Sequence, residues 1–168
     1  MNPSLPAEDA RAETILNAAE ILRQAEDSGT PCAPIRDLFA EEDLDAAYRI
    51  QQININRRLE SGVHIIGHKI GITSRAVQQQ VGVTTPDFGV LMSDMIVDDG
   101  GVMDADRLLQ PRAEAEIAII LGADLDTPSP NVADVLMATS FVLPAIEIVA
   151  SRVENWDISI VDTIADNA

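Results

Sequence analysis

Cysteine is nearly absent from this sequence. Cys32 stands alone, so no internal disulfide can form, and no Cys-His spacing of the zinc-site kind occurs. Lysine is as scarce: ten arginines carry nearly all the positive charge, and Lys69 is the only lysine. Basic residues cluster nowhere and the formal net charge is −17, which argues against nucleic acid and anionic membranes as partners. There is no apolar run long enough to span a bilayer and no N-terminal segment of signal type. The expectation is a cytosolic protein. Repeats and low-complexity tracts are missing too.

What is there is enough for a folded domain. The chain has 168 residues, of which 46% are apolar, and its acidity is dispersed rather than gathered in a tail. Residues from about Ala12 to Gln24 place Ile15, Leu16, Ala19, Leu22 and Ala25 at helical spacing, stopped by Ser28-Gly29. The polar stretch before it, to about Ala10, is expected to fray. A second helix is expected from near Glu41 to Glu60, with Leu44, Ala47, Tyr48, Gln51 and Ile55 as its inner stripe. Residues 1–62 therefore read as a helical region with a structural role, and residues 63–168 as a β-rich one. There, Val63 to Gly71 and Val90 to Val97 read as strands, separated by a short helix from Ser74 to Val81 capped by Thr73. A helix is expected from about Asn131 to Thr139, and Ile158 to Ile164 reads as a further strand.

The stretch from Ala113 to Leu121 is a short, isoleucine-rich run ended by Gly122, the pattern of a buried strand. Glu114 and Glu116 share one face of it, roughly 7 Å apart along the chain. Two carboxylates on a greasy strand repel each other and resist leaving water. A shared proton, an arginine or a hard divalent cation would relieve them, and so would a solvated sheet face. Glu147, in Ala145-Ile-Glu-Ile-Val149, is a third acid in an apolar strand. Three carboxylates suit Mg²⁺ or Mn²⁺ better than zinc. Lys69, flanked by Gly67 and Gly71, is either a surface lysine or a donor and proton shuttle beside the acids. Asp87 is either a turn-former or a general base. His64 and His68 read as non-ligands, Arg112 as a neutraliser of the acids, and Trp156 and Cys32 carry no specific signal.

Several blocks together resemble a known family. These are Gly67-His-Lys-Ile-Gly-Ile-Thr-Ser74, Gln78-Gln-Gln-Val-Gly82, Pro86-Asp-Phe-Gly89, Gln110-Pro-Arg-Ala-Glu-Ala-Glu116, Leu143-Pro-Ala-Ile-Glu147 and Asp162-Thr-Ile-Ala-Asp-Asn-Ala168. In order and spacing they resemble the 2-oxopent-4-enoate (2-hydroxypenta-2,4-dienoate) hydratases of the fumarylacetoacetate hydrolase superfamily. The resemblance implies an α+β fold: a helical N-terminal region, then a mixed β-sandwich or rolled sheet whose C-terminal part is missing here. It implies a Mg²⁺ or Mn²⁺ site, with Glu114, Glu116 and Glu147 matching the ligands and Lys69 and Asp87 the acid/base pair. It also implies a small 2-oxo/2-hydroxy-dienoate substrate from meta-cleavage catabolism of aromatic compounds. The expected assembly is a homo-oligomer, with another enzyme of that pathway as a candidate partner. The alternatives are a 2-oxo-3-hexenedioate (4-oxalocrotonate) decarboxylase and a non-catalytic partner subunit.

Overall fold

The computed structural model describes residues 5–39 and 42–167. It has the α+β character expected, divided into two compact units. One comprises Met1–Gln110 with Ala150–Ala168, the other Pro111–Val149.

Three helices build the core of the first unit. Helix α1 (Leu5–Ser28) buries Ile15, Ala18, Ala19 and Leu22, one stripe at i, i+3, i+4 and i+7. Its polar start is helical from Leu5 rather than frayed; residues 1–4 lie outside the described residues. Gly29, at φ 66°, ends it in the left-handed conformation that glycine adopts most easily. The expected start of the second helix near Glu41 also falls outside the described residues. Helix α2 (Leu44–Glu60) begins after Asp43, whose side chain accepts from the Ala46 N–H at 3.0 Å and pairs with Arg11 at 2.9 Å. Its buried stripe is Ala46, Ala47, Ile50, Gln51 and Ile55. Leu44, the first residue of the helix, is exposed, whereas Ala46 and Ala47 in the same turn are buried.

The stretch 158–164 is not a strand. Helix α5 (Ile160–Asp166) occupies it, and Asp162 reaches back to accept from the Ser159 N–H at 2.8 Å and from its hydroxyl at 2.9 Å. Val161, Ile164 and Ala165 are buried among α1 and α2 residues. A cap and one buried helical stripe outweigh the β-branched composition of Ile158-Ser-Ile-Val161.

Strands β1 (Ile65–Gly71) and β2 (Asp87–Met92) form an antiparallel ribbon in this unit. Between them, helix α3 (Arg75–Val81) is capped by Ser74, not Thr73: the Ser74 Oγ accepts from the Val77 N–H at 3.2 Å. Strand β2 stops at Met92 instead of running to Val97, since the Met95 N–H folds back to the Met92 carbonyl at 3.0 Å.

The second unit is a ribbon with one helix. Strands β3 (Arg112–Leu121) and β4 (Thr139–Val149) pair antiparallel, and α4 (Val132–Ala138) starts from a capping box between Asn131 and Asp134. Strand β3 is exposed on both faces rather than buried, with Ile117 71% accessible on one and Ile120 44% on the other. Its composition is that of an interior strand, yet a two-stranded ribbon has no second layer of its own. Among the described residues, no helix is long and apolar enough to cross a membrane.

Candidate functional site

Strand register assembles the acids. Glu114 lies directly opposite Glu147 in the β3–β4 ladder, and Glu116 follows two residues on, on the same face. One carboxylate oxygen from each comes within 4.8 Å of the others. Like charges directly opposite each other across a ladder are destabilising, and a cation between them reverses the sign. Oxygens bound to one Mg²⁺ at roughly 2.0–2.1 Å stand about 3 Å apart when adjacent and at most about 4 Å apart. Small side-chain rotations would therefore close the set on one ion. Glu114 and Glu116 are exposed and Glu147 is half-buried, so water can complete a coordination shell. The donors are all hard oxygens, the set that magnesium-like ions prefer. The residues present fit such an ion.

Lys69 and Asp87 belong to the first unit. Their ribbon pairs Lys69 with Gly89 and Gly71 with Asp87, which puts Lys69 and Asp87 on one face as diagonal neighbours, about 7–8 Å apart between backbones. That span is within reach of a lysine side chain. Two glycines make the room. A Cβ on Gly89 would stand 2.6 Å from the Lys69 Cε and 2.8 Å from its Cγ, and one on Gly71 would overlap the Asp87 carboxylate.

The polarity of this ribbon is inverted. Lys69, Gly71, Asp87 and Gly89 occupy its covered face, whereas Ile70 and Phe88 point outward at 54% and 49% exposure. Asp87 is 7% exposed. A sheet that hides its charges and shows its isoleucine gives up hydrophobic burial, and such local rule-breaking marks a working surface.

The remaining sequence candidates separate from both groups. His68 pairs with Val90 on the outward face, and His64 lies before β1, its N–H donating to the Ser93 Oγ at 3.2 Å. Arg112 sits opposite Val149 at the start of β3, on the face of the glutamates. The Trp156 indole donates to the Gln110 carbonyl at 3.0 Å, and the Gln110 amide donates to the carbonyls of Ser151 and Val153. These contacts fix a loop. Burial pushes the Cys32 thiol up, and its Sγ donates to the Arg152 carbonyl at 3.3 Å, as a structural thiol would. Three residues given no chemistry from the pattern touch β2: Tyr48, Gln51 and Asn167. The one signal for them was a glutamine on the buried stripe of α2, where an amide requires partners.

No family model matches the chain. It is 52% identical over 151 residues to 2-keto-4-pentenoate hydratase 2 of Dechloromonas aromatica (strain RCB), covering 90% of this chain and 58% of that protein. To a 2-hydroxypent-2,4-dienoate hydratase of Pseudomonas putida it is 43% identical over 158 residues, covering 93% of this chain and 71% of the relative. Among solved structures, 4-oxalocrotonate decarboxylase from Pseudomonas putida G7, complexed with magnesium and adipate, matches with a TM-score of 0.83. That match has 37% sequence identity and covers 93% of this chain and 59% of that one. The chain thus spans well under two thirds of the length of the first and third of these proteins.

Proposed function

This chain belongs to the 2-keto-4-pentenoate hydratase family, and from that membership we propose a divalent-metal-dependent hydro-lyase. It adds water to 2-hydroxypenta-2,4-dienoate to give 4-hydroxy-2-oxopentanoate, a step in meta-cleavage catabolism of aromatic compounds. Glu114, Glu116 and Glu147 hold Mg²⁺ or Mn²⁺. The observation that carries the reading is their convergence within 4.8 Å on an exposed ribbon face. When bound, the ion supplies Lewis acidity toward the carboxylate and 2-oxygen of the substrate head.

The chain's own residues handle the protons. The dienol loses its hydroxyl proton and gains one at C5, giving an α,β-unsaturated ketone, and water then adds across its C3=C4 bond, hydroxyl to C4 and proton to C3. Lys69, a compact ammonium on a flexible stem, stabilises or protonates oxygen. Asp87, an acceptor on the covered face, orients or deprotonates the attacking water. The fold reading goes with the function: a β-sandwich or rolled sheet of fumarylacetoacetate hydrolase type, in a cytosolic homo-oligomer. The exposed apolar side chains of Ile117, Ile119, Phe141 and Ile146 favour such further packing.

The test is a spectrophotometric assay of the purified chain with Mg²⁺ or Mn²⁺, following loss of the dienoate absorbance. Metal-dependent loss supports the reading. The match to a solved decarboxylase at 37% identity favours a second outcome: 2-oxo-3-hexenedioate releasing CO₂ while the dienoate is untouched would replace hydratase by decarboxylase. Mn²⁺ binding without turnover of either substrate would make the chain a non-catalytic subunit.

A further inference from the structure

Strand β2 pairs with β1 along one edge, and side chains take up its other edge. In an antiparallel pair, alternate residues turn their N–H and C=O away from the partner strand. Beside Asp87 and Gly89 on β2 these are Phe88 and Val90, and all four of their outward groups are engaged. From α2, the Gln51 amide donates to the Phe88 carbonyl at 3.0 Å, and the Tyr48 hydroxyl accepts from the Phe88 N–H at 3.3 Å. Asn167, just beyond α5, accepts from the Val90 N–H at 2.7 Å and donates to the Val90 carbonyl at 3.0 Å. Its amide presents one acceptor and one donor to the edge, as a peptide group of a third strand would.

Two features tie this edge to the acid/base residues. The gripped residues alternate with the reactive ones: Phe88 and Val90 bracket Gly89, over which Lys69 lies, and Phe88 directly follows Asp87. A one-residue slip of β2 would send Asp87 to the outward face. The grips are also neutral. Two primary amides and a phenol fill the edge without placing another charge beside Lys69 and Asp87. Gln51 is 7% exposed and donates to the Ile164 carbonyl at 2.9 Å as well, so one buried amide joins α2, β2 and α5. Asn167 takes φ 55°, a left-handed conformation that asparagine tolerates better than most residues, and this aims its side chain at β2.

We infer that Gln51 and Asn167 are positioning residues for Asp87: two side-chain amides that replace a third strand at the edge of β2 and hold the Asp87 carboxylate on the covered face, diagonally across the ribbon from Lys69. The inference rests on the proposed roles of Lys69 and Asp87, and its test has a readout independent of turnover. Because Lys69 is the only lysine, reductive ¹³C-methylation of the full chain gives one lysine dimethylamine resonance. Asp87→Asn defines the shift that follows loss of the carboxylate. Asn167→Ala, Asn167→Asp (which keeps the acceptor but loses the donor) and Gln51→Leu are then compared with it. The expected result is a shift toward the Asp87→Asn position, with a cooperative melt retained and Mn²⁺ affinity within about twofold of wild type. In the hydration assay kcat falls on the order of 10- to 100-fold, the scale of a small misplacement, while KM changes far less. Folded variants whose Lys69 resonance stays at the wild-type position overturn the inference. So does loss of folding in all three, Asn167→Asp included, which would assign both amides to the fold alone. If the wild-type chain does not hydrate the dienoate, the functional reading fails, and the resonance still decides the positioning role.

Discussion

The Asp87 carboxylate lies over the α-carbon of Gly71, its partner across the ribbon. A Cβ at Gly71 would overlap Oδ1 and stand 3.1 Å from Cγ. Gly71→Ala therefore has to displace the carboxylate or part the strands. Hydration activity is expected to fall about 100-fold, the cost of roughly 1 Å of misplacement. Mn²⁺ affinity is expected to stay unchanged, since the three glutamates belong to the other unit. Steady-state kinetics beside Mn²⁺ electron paramagnetic resonance checks both halves, and equal loss of the two would refute the assignment of Asp87.

Glu114→Gln should move stability and metal binding in opposite directions. Facing Glu147 directly, Glu114 contributes like-charge repulsion without metal, so its neutralisation should stabilise the metal-free ribbon by a few tenths of a kcal/mol. With Mn²⁺ the same change removes one anionic ligand and should weaken binding about tenfold or more. Calorimetric melting in EDTA and titration with Mn²⁺ read the two effects separately.

Arginine should not replace Lys69. The lysine stem packs over Gly89 with its Cε 2.6 Å from where a Cβ would be, and a broad planar guanidinium on a stem of three methylenes rather than four does not place its donors where the ammonium ends. Lys69→Arg is expected to lose nearly as much kcat as Lys69→Ala, to within about tenfold, even though it keeps the charge. Recovery of wild-type rate by Lys69→Arg would show that charge alone is needed.

Acid should release one particular tie within the helical core. Burial on its own pushes the Asp162 carboxyl up, but hydrogen bonds from Ser159 and Arg36 outweigh it and hold the group below the usual carboxylate range. Asp162 is 0% exposed and takes 2.9 and 3.0 Å bonds from the Arg36 side chain and backbone N–H. A depressed folded-state pKa contributes stability that is complete above the unfolded value, about 3.9, and is lost as pH falls below it through the folded value. Asp162→Asn is expected to cost about 2 kcal/mol near neutral pH, with the gap to wild type closing below about pH 4. Urea unfolding at several pH values follows the gap; a difference that does not vary with pH would contradict the ionised carboxylate.

Local pattern made α1, α2 and the paired glutamates legible, because each depends on a short-range period. The spacing of Ile15, Ala19 and Leu22 is helical whatever surrounds it, and Glu114 and Glu116 must share a face of any strand. Context decided the rest. Ile158-Ser-Ile-Val161 has β-branched composition, but Asp162 caps the segment and Val161, Ile164 and Ala165 find a helical core to fill. Strand β3 has an interior composition and lies exposed, since composition does not tell a strand what will cover it. That Glu147 faces Glu114 is a matter of ladder register between distant segments. Gln51 and Asn167 acquire meaning only from the backbone atoms they meet, and no spacing along the chain encodes those.

The first unit is discontinuous in sequence, and this bears on the order in which parts of the chain can form. Residues 111–149 can zip their carboxylate-bearing ribbon from contacts near in sequence. The helical core instead waits for the segment 150–167, which follows that ribbon, to deliver Val153, Val161 and Ile164. During synthesis the glutamates can thus meet before the strand that carries Asp87 has Asn167 to steady it.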